Sequence, residues 1–202
     1  MAGSEVRIIR LRAHDPEAPA LLRGGLAVKN AGWRDTYEPW LGSAYLDGQD
    51  AGFERQAAGW TRALQDGRLM PTWVAVAADQ VAEDQMAEGQ VADRQVVGIA
   101  GGGPLAVTSA VRGRFAGSAE GTEVERELSV LYVLASWRGS GVAAQLAEAV
   151  LEGASACLWV LEENPRALAF YAKLGFAPDG AVEELPPEWN GAREIRLVRA
   201  AR

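Results

Sequence analysis

A short turn rich in small residues, between a predicted strand and a predicted helix, constrains this chain more than any other feature. The turn runs from Trp137 to Ala143 (WRGSGVA) and follows the β-rich run Glu127 to Val133. Glycine lets an anion approach the main chain closely, because no side chain stands in the way. The backbone N–H groups and the dipole at a helix start both attract negative charge. We therefore expect this turn, with Arg138 at its rim, to bind an anion, and a nucleotide diphosphate is the expected one.

The order of hydrophobic patterns predicts a mixed α/β fold in which helices pack on a sheet. Runs rich in β-branched and aromatic residues predict strands over residues 6–12, 72–78, 95–100, 127–133, 157–161 and 193–198. Helical spacing predicts helices over residues 16–31, 53–64 and 139–152, and a further helix that Asn164 caps and Gly175 ends. The glycine-rich passage 101–121 is interpreted as a loose connection.

Composition and charge limit the class of protein. The chain has 202 residues, which suits one domain with a substantial core, and a formal net charge of −7 at pH 7. This charge argues against nucleic-acid binding, which needs a basic face, and permits a cationic substrate. With one cysteine, Cys157, and one histidine, His14, the sequence predicts neither a disulfide nor a metal site. The sequence has no signal-peptide pattern and no membrane-spanning apolar run, so we expect a cytoplasmic protein that does not engage a membrane.

The segment 79–94 contains a duplicated acidic sequence. Gln80 to Gln85 (QVAEDQ) is echoed ten residues later by Gln90 to Gln95 (QVADRQ). Two copies are too few for a solenoid. We expect a solvated, acidic loop inside a single domain that spans residues 1–202. Attraction of a basic substrate is the functional alternative for this loop.

The glycine turn also fits a second kind of anion site. Gly139-x-Gly141-x-x-Ala144 matches the dinucleotide fingerprint, and Glu162 lies about where the ribose-binding acid belongs. However, residues 134–138 separate the predicted strand from the first glycine, whereas the fingerprint usually follows its strand directly. Only 40 residues follow Glu162, too few for the rest of a doubly wound domain. A plain tight turn without a ligand is a further alternative.

Three stretches, taken together, resemble the GNAT family of N-acetyltransferases. Arg138-Gly139-Ser140-Gly141-Val142-Ala143 matches the family's coenzyme A motif, Q/R-x-x-G-x-G/A, and residues 127–133 are similar to its fourth strand. Residues 161–176 (LEENPRALAFYAKLGF) are similar to the second family motif, with its N-x-x-A and FY-x-x-x-GF elements. The early Trp33-Arg34-Asp35-Thr36-Tyr37 resembles a W-R-x-x-Y element of many members. The resemblance implies one GNAT-like domain with a mostly antiparallel mixed sheet, a splayed central strand pair and helices on both faces.

The resemblance also implies that the chain uses acetyl-coenzyme A as a co-substrate and needs no metal. Strand residues Leu131, Tyr132 and Val133 would lie along its pantetheine arm, with the backbone groups of Leu131 and Val133 pairing like an added strand. The turn Arg138 to Ala143, including Ser140 and Val142, would hold the pyrophosphate. Asn164 would contact the coenzyme near its pantetheine end. Tyr171 would stand beside the sulfur and protonate the leaving thiolate.

Transfer of an acetyl group to an amine needs a base, because alkylamines are mostly protonated at neutral pH. Glu127 is the candidate, since the two-residue period of a strand places it on the face of Leu131 and Val133. Glu162 and Glu163 are alternatives, and a strand-edge carboxylate without a catalytic role is the plain interpretation of Glu127. The Val133 N–H is the expected donor to the oxyanion. Tyr171, with an ordinary pKa of ~10, suits the role of acid.

The acceptor amine stays open between a small molecule and a peptide or protein. Trp33 and Tyr37 are candidate substrate-binding residues, and packing of helix on sheet is the alternative role for such aromatic side chains. Trp189 could line a cleft or a dimer contact. Dimerisation is common in the family, so we expect a homodimer rather than a monomer.

Three functions therefore follow from the sequence. The first is an N-acetyltransferase, which the presence of Tyr171 and a candidate base favours. The second is a regulatory domain that binds acyl-coenzyme A without catalysis. The third is a dinucleotide-binding oxidoreductase, which the short distance from Glu162 to the end of the chain disfavours.

Overall fold

The computed structural model describes residues 5–77, 95–105 and 123–202. Within these ranges the strands are β1 (Val6–Arg10), β2 (Thr72–Ala77), β3 (Val96–Pro104), β4 (Arg126–Val133), β5 (Ala156–Leu161), β6 (Ala177–Glu184) and β7 (Arg193–Arg199). The helices are α1 (Ala18–Ala51), α2 (Phe53–Gln65), α3 (Val142–Leu151) and α4 (Pro165–Lys173), with short 3₁₀ helices at Ala135–Trp137 and Pro187–Trp189. The predicted acidic loop at 79–94 lies outside the described residues.

The strands form one seven-stranded sheet in the order β1-β2-β3-β4-β5-β7-β6. Neighbouring strands pair antiparallel except β4 and β5, which run parallel. The expected mixed, mostly antiparallel sheet is therefore confirmed. The strand β6 was not predicted, because Pro178 and Gly180 interrupt its sequence. Such residues are tolerated at the edge of a sheet, which is where β6 lies.

Helices cover both faces of this sheet, as expected. Alternate residues of β2 point to opposite faces. Trp73 and Ala75 pack in a core with α3, which contributes Val142, Leu146, Ala147, Val150 and Leu151. Val74 and Val76 pack in a second core with α1, which contributes Leu21, Leu22 and Leu26. The two cores hold the central strands between helical layers.

The prediction of a loose connection from Gly101 onward is wrong for the first residues of that segment. Strand β3 continues through Gly101, Gly102 and Gly103 to Pro104 and pairs with β4 along this length. A Cβ on Gly102 would collide with the main-chain oxygen of Glu127. These glycines therefore allow two strands to approach closely rather than marking a loop.

Helix α1 extends well beyond the predicted end at residue 31. It runs to Ala51 and includes the aromatic region, with one interruption at Gly42, where φ is 71° and ψ is 157°. Pro39, three residues earlier, lacks the N–H that a continuous helix would use and crowds the preceding turn. The resulting bend lets the second half of α1 pack against the 3₁₀ helix at Pro187–Trp189. Helix α1 thereby covers the region where β4 and β5 separate.

Candidate active site

The strands β4 and β5 separate soon after they begin. They pair only at Arg126 with Ala156 and at Glu127 with Cys157, so the rest of β4 has an open edge. Just beyond β4, the N–H of Leu134 donates to Val97 O of β3 at 2.9 Å. Backbone groups alternate along a strand, so the N–H and C=O groups of Leu131 and Val133 point away from β3, toward the open edge. An extended ligand with amide groups can pair there as an added strand.

The turn between β4 and α3 presents unpaired N–H groups. Gly139 and Gly141 have φ values of 80° and 87°, which only glycine adopts without strain, and Gly141 is the N-cap of α3. Within the described residues, the N–H groups of Gly139, Gly141, Ala143 and Ala144 have no main-chain or side-chain partner. Together with the dipole of α3, these groups form an anion site.

A cavity of about 750 Å³ connects the open edge of β4 to this turn. Its walls come from α1, from β4 and β5 where they separate, from the turn, from α4 and from the segment before β7. The lining residues include Trp33, Thr36, Tyr37, Leu128, Leu131, Tyr132, Val133, Arg138, Gly139, Gly141, Ala143, Ala144, Trp159, Asn164, Arg166, Phe170, Tyr171, Lys173, Trp189 and Glu194. This volume is within the range of small-molecule and cofactor sites.

The charged groups of the cavity are divided between its parts. Arg138 lies on the turn, and Arg166 and Lys173 lie on α4, so three cations line the cavity. Asp35 of α1 forms an ion pair with Arg138 and lies 3.8 Å from Arg166. Glu194 of β7 is the single carboxylate among the lining residues that the structure describes.

Three partly buried tyrosines line the cavity. The hydroxyl oxygens of Tyr37 and Tyr132 are 3.3 Å apart and share a hydrogen bond. Burial raises the pKa of Tyr37, of Tyr132 and of Tyr171, because a phenolate is poorly solvated in the protein interior. The three hydroxyls therefore stay neutral and act as hydrogen-bond donors at neutral pH.

Helix α4 holds Tyr171 in place from both ends of the helix. Asn164 caps the start, as predicted, with its Oδ1 accepting from Ala167 N at 3.1 Å. The end is closed by Gly175 (φ 87°), with Phe176 N donating to Tyr171 O at 3.1 Å. The Tyr171 ring lies edge-on to Phe176, with ring centroids 6.0 Å apart.

An aromatic cluster of Trp33, Tyr37 and Trp189 forms the wall nearest α1. Their rings meet edge to face, with centroid separations of 5.2 to 5.9 Å. Trp189 is only 6 % exposed, and its Nε1 has no hydrogen-bond partner among the described residues. Trp33 and Tyr37 pack against a hydrophobic core, as one alternative expected, and they also line the cavity, so their substrate-binding role stays a prediction.

The comparisons with known proteins agree with this geometry. The family model for the acetyltransferase (GNAT) domain matches residues 70–185, more than half of the chain. The chain belongs to the GNAT acetyltransferase family. No curated protein matches the sequence.

Solved structures give the same fold for this GNAT chain. PaiA N-acetyltransferase from Thermoplasma acidophilum, in complex with coenzyme A, is 15 % identical with a TM-score of 0.55, covering 97 % of this chain and 99 % of that one. A putative GNAT-family acetyltransferase from Bordetella pertussis is 16 % identical with a TM-score of 0.56, covering 96 % of each chain. NAA60 from Arabidopsis thaliana, bound to a bisubstrate analogue, is 14 % identical with a TM-score of 0.53, covering 98 % and 100 %. Identities this low establish the fold alone.

The structure brings most of the predicted GNAT site residues to one cavity. Three of the predicted residues do not line it: Ser140 and Val142 of the predicted coenzyme site, and Glu127, the candidate base. Ser140 turns its hydroxyl inward to Trp137 O at 2.6 Å, and Val142 is a core residue at 1 % exposure. The predicted residues that do line the cavity are Trp33, Tyr37, Leu131, Tyr132, Val133, Arg138, Gly139, Gly141, Ala143, Asn164 and Tyr171.

Glu127, the candidate base, lies outside the cavity lining. It is 3 % exposed and sits where β4 still pairs with β5. The register of β3 and β4 shifts between Gly101 and Gly102. Because of this bulge, Leu128 packs in the same core as Leu131 and Val133, and the two-residue alternation assumed for Glu127 is interrupted there.

Sequence reasoning missed Glu194 and Arg166 and left the role of Trp189 open. Glu194 and Arg196 alternate with apolar residues in the predicted strand 193–198, a pattern that signals a polar face. The sequence does not show that β7 lies between β5 and β6, which is what directs Glu194 to the cavity. In the described ranges no helix is long and apolar enough to cross a membrane, and no three potential metal-ligating side chains come together.

Proposed function

We propose that this chain transfers the acetyl group of acetyl-coenzyme A directly to a primary amine of a small molecule or a peptide. The observation that carries the proposal is one cavity that joins the open edge of β4, the anion site at the start of α3 and the Tyr171 hydroxyl. This combination suits a long, amide-containing ligand with a phosphorylated end and a reactive group at the other.

The coenzyme is expected to span the cavity from the turn to Tyr171. Its pyrophosphate accepts hydrogen bonds from the N–H groups of Gly139, Gly141 and Ala143, with Arg138 and Arg166 adding positive charge. Its pantetheine amides pair with the main chain of Leu131 and Val133. Among solved relatives, the Thermoplasma acidophilum enzyme is bound to coenzyme A, which is consistent with this placement.

The reaction needs no covalent enzyme intermediate. The neutral amine attacks the thioester carbonyl, the C–N bond forms and the oxygen becomes an oxyanion, for which the Val133 N–H is the proposed donor. The C–S bond then breaks, and the sulfur takes a proton from Tyr171. Burial holds the pKa of Tyr171 above its ordinary value, so the hydroxyl donates only as full charge develops on the sulfur. The amine nitrogen gives up its protons to a base.

Glu127 remains the base that the sequence predicts. Its carboxylate is buried beside the last paired residues of β4 and β5, so it would act on the amine through water. Replacement of Glu127 by glutamine distinguishes a catalytic base from a strand-edge carboxylate that has no catalytic role. If Glu127 is the base, Glu127→Gln lowers the rate mainly at low pH, whereas an unchanged pH profile removes it.

The experiment for the proposed function is an acceptor screen with the purified chain and acetyl-coenzyme A. Alkylamines, arylalkylamines, polyamines and peptides with free N-termini are tested for release of the coenzyme thiol and for acetylated product by mass spectrometry. Acetylation of at least one amine, absent in Gly141→Glu, is the expected result. Tight binding of the coenzyme without acetylation of any amine above the uncatalysed rate would instead favour the regulatory domain.

A further inference from the structure

Glu194 lies on the same face of the sheet as the aromatic cluster of Trp33, Tyr37 and Trp189, and all four residues line the cavity. On β7 it lies opposite Leu161 of β5, and cross-strand partners project to the same face of a sheet. Leu161 packs with Trp33, Tyr37 and Trp189, so Glu194 shares this face with them.

No cation in the described chain neutralises Glu194. The residue opposite it on β6 is another carboxylate, Glu183, and Tyr37 faces it from α1. On β5 its partner is apolar Leu161. Two residues along β7, Arg196 is held by Asp179 at 2.7 Å. Glu194 is partly buried, and a carboxylate withdrawn from water without a cationic partner is costly for the fold; such groups concentrate at functional sites.

We propose that Glu194, with Trp33, Tyr37 and Trp189, forms the acceptor subsite of this chain, and that it binds a protonated primary amine on an apolar carbon skeleton. The inference rests on the proposed function and names its acceptor class. The carboxylate pairs with the ammonium, and the aromatic faces contact the adjacent carbon atoms and the cation. An acceptor with a carboxylate next to its amine is disfavoured, because it brings further negative charge to Glu194 and Glu183.

The same carboxylate, rather than Glu127, which lies outside the cavity lining, is the direct proton acceptor. Burial and the neighbouring Glu183 raise the pKa of Glu194 to about 7, which suits a base at neutral pH. The ammonium gives one proton to Glu194 and becomes the nucleophile. After the C–N bond forms, the nitrogen loses its second proton, which replaces the one that Tyr171 gives to sulfur as the C–S bond breaks. Glu194 returns its proton to solvent when the product leaves.

The test uses two acceptors that differ only by a carboxylate, 2-phenylethylamine and phenylalanine. Wild-type chain, Glu194→Gln, Glu127→Gln and the control Glu184→Gln are compared. Glu184 is exposed on β6, where it lies opposite Arg193 rather than Glu194. Calorimetric titration with coenzyme A is done first, and amine titration follows on both the free chain and its coenzyme complex.

We expect the wild-type chain to prefer 2-phenylethylamine over phenylalanine by about 10-fold or more, and Glu194→Gln to lose most of this preference. For the amine, kcat/KM falls about 100-fold or more in Glu194→Gln, and the limb of its pH profile near 7 disappears. In Glu184→Gln, kcat/KM for 2-phenylethylamine stays within about twofold of the wild-type value. Coenzyme affinity is unchanged in both variants.

Three results overturn the inference. The limb near pH 7 persists in Glu194→Gln, or it is lost in Glu127→Gln alone, or 2-phenylethylamine binds the wild-type chain no tighter than it binds Glu194→Gln. A wild-type chain that binds no coenzyme A contradicts the proposed function instead. In that case the amine titration of the free chain still decides whether Glu194 forms an amine site.

Discussion

Asp35 of α1 forms an ion pair with Arg138 of the glycine turn. The Arg138 guanidinium holds the pKa of Asp35 below its ordinary value. The pair links the helix that carries Trp33 and Tyr37 to the turn that is expected to hold the pyrophosphate. The carboxylate thus occupies an arginine that a phosphate would otherwise engage.

Removal of this carboxylate should strengthen coenzyme binding. In Asp35→Asn, Arg138 is free for the pyrophosphate and a nearby negative charge is lost, so we expect the affinity for coenzyme A to rise about 2- to 5-fold, the range for exposed ion pairs. Calorimetric titration at low salt measures it. Asp50→Asn, which removes one of the two carboxylate partners of Arg34 on the same helix, is the control and should leave the affinity unchanged. Weaker binding in Asp35→Asn would mean that the pair instead holds Arg138 in position.

The positive φ of Gly141 should make it intolerant of a side chain although space is available. A Cβ there meets no protein atom within 4 Å, so Gly141→Ala is expected to cost only backbone strain, about 1–2 kcal/mol of unfolding free energy. Gly59→Ala, also in open space but in the middle of α2, should stabilise the chain by about 1 kcal/mol. Urea denaturation of both variants measures the contrast. Equal effects of the two substitutions would contradict the assigned backbone conformation.

Loss of the Tyr171 hydroxyl should slow turnover without weakening coenzyme binding. Tyr171→Phe removes the proton donor to the leaving sulfur, and we expect kcat to fall about 100-fold. Because burial raises the pKa of Tyr171, wild-type activity should show no loss from its ionisation up to pH 10. Steady-state kinetics with the best acceptor measures both. Tyr45→Phe, a tyrosine outside the cavity lining, should behave as wild type, and the proposed role fails if the two variants have the same kcat.

Glu194 should make the fold less stable as pH rises. Its pKa is about 7 in the folded chain against an ordinary value of 4.5, so the folded state binds more protons between these pH values. The free energy of unfolding therefore falls as pH rises from 4.5 through 7. Glu194→Gln removes this dependence. The free energy of unfolding of the variant, relative to that of the wild type, should therefore rise by about 3 kcal/mol from pH 4.5 to pH 8. Denaturation at both pH values tests this, and a difference independent of pH would contradict it.

The sequence predicted the elements that carry strong local signals. Helix α4 begins and ends where expected, at Pro165 after Asn164 and before Gly175, because helix capping depends on residues that are close in sequence. The turn at Gly139 and Gly141 was likewise identifiable, since its conformation depends on the glycines themselves. Most of the predicted coenzyme site follows from these two local features.

The features that could not be predicted from the sequence depend on contacts between segments that are distant along the chain. The bulge in β4 opposite Gly101 and Gly102 is set by the close approach of β3, and it interrupts the alternation from which Glu127 was placed. The position of β7 between β5 and β6 directs Glu194 to the cavity. The bend at Gly42 sends the end of α1 over the site. None of these contacts leaves a periodic pattern in one segment.

The most direct test of the proposed function is a calorimetric titration of the purified chain, cleared of bound coenzyme, with acetyl-coenzyme A. NAD and FAD are titrated in parallel. We expect selective binding with a Kd on the order of micromolar, lost in Gly141→Glu. Absence of binding to a well-folded sample, or preferential binding of NAD or FAD, would contradict the assignment of the glycine turn to coenzyme A and the acetyl transfer that depends on it.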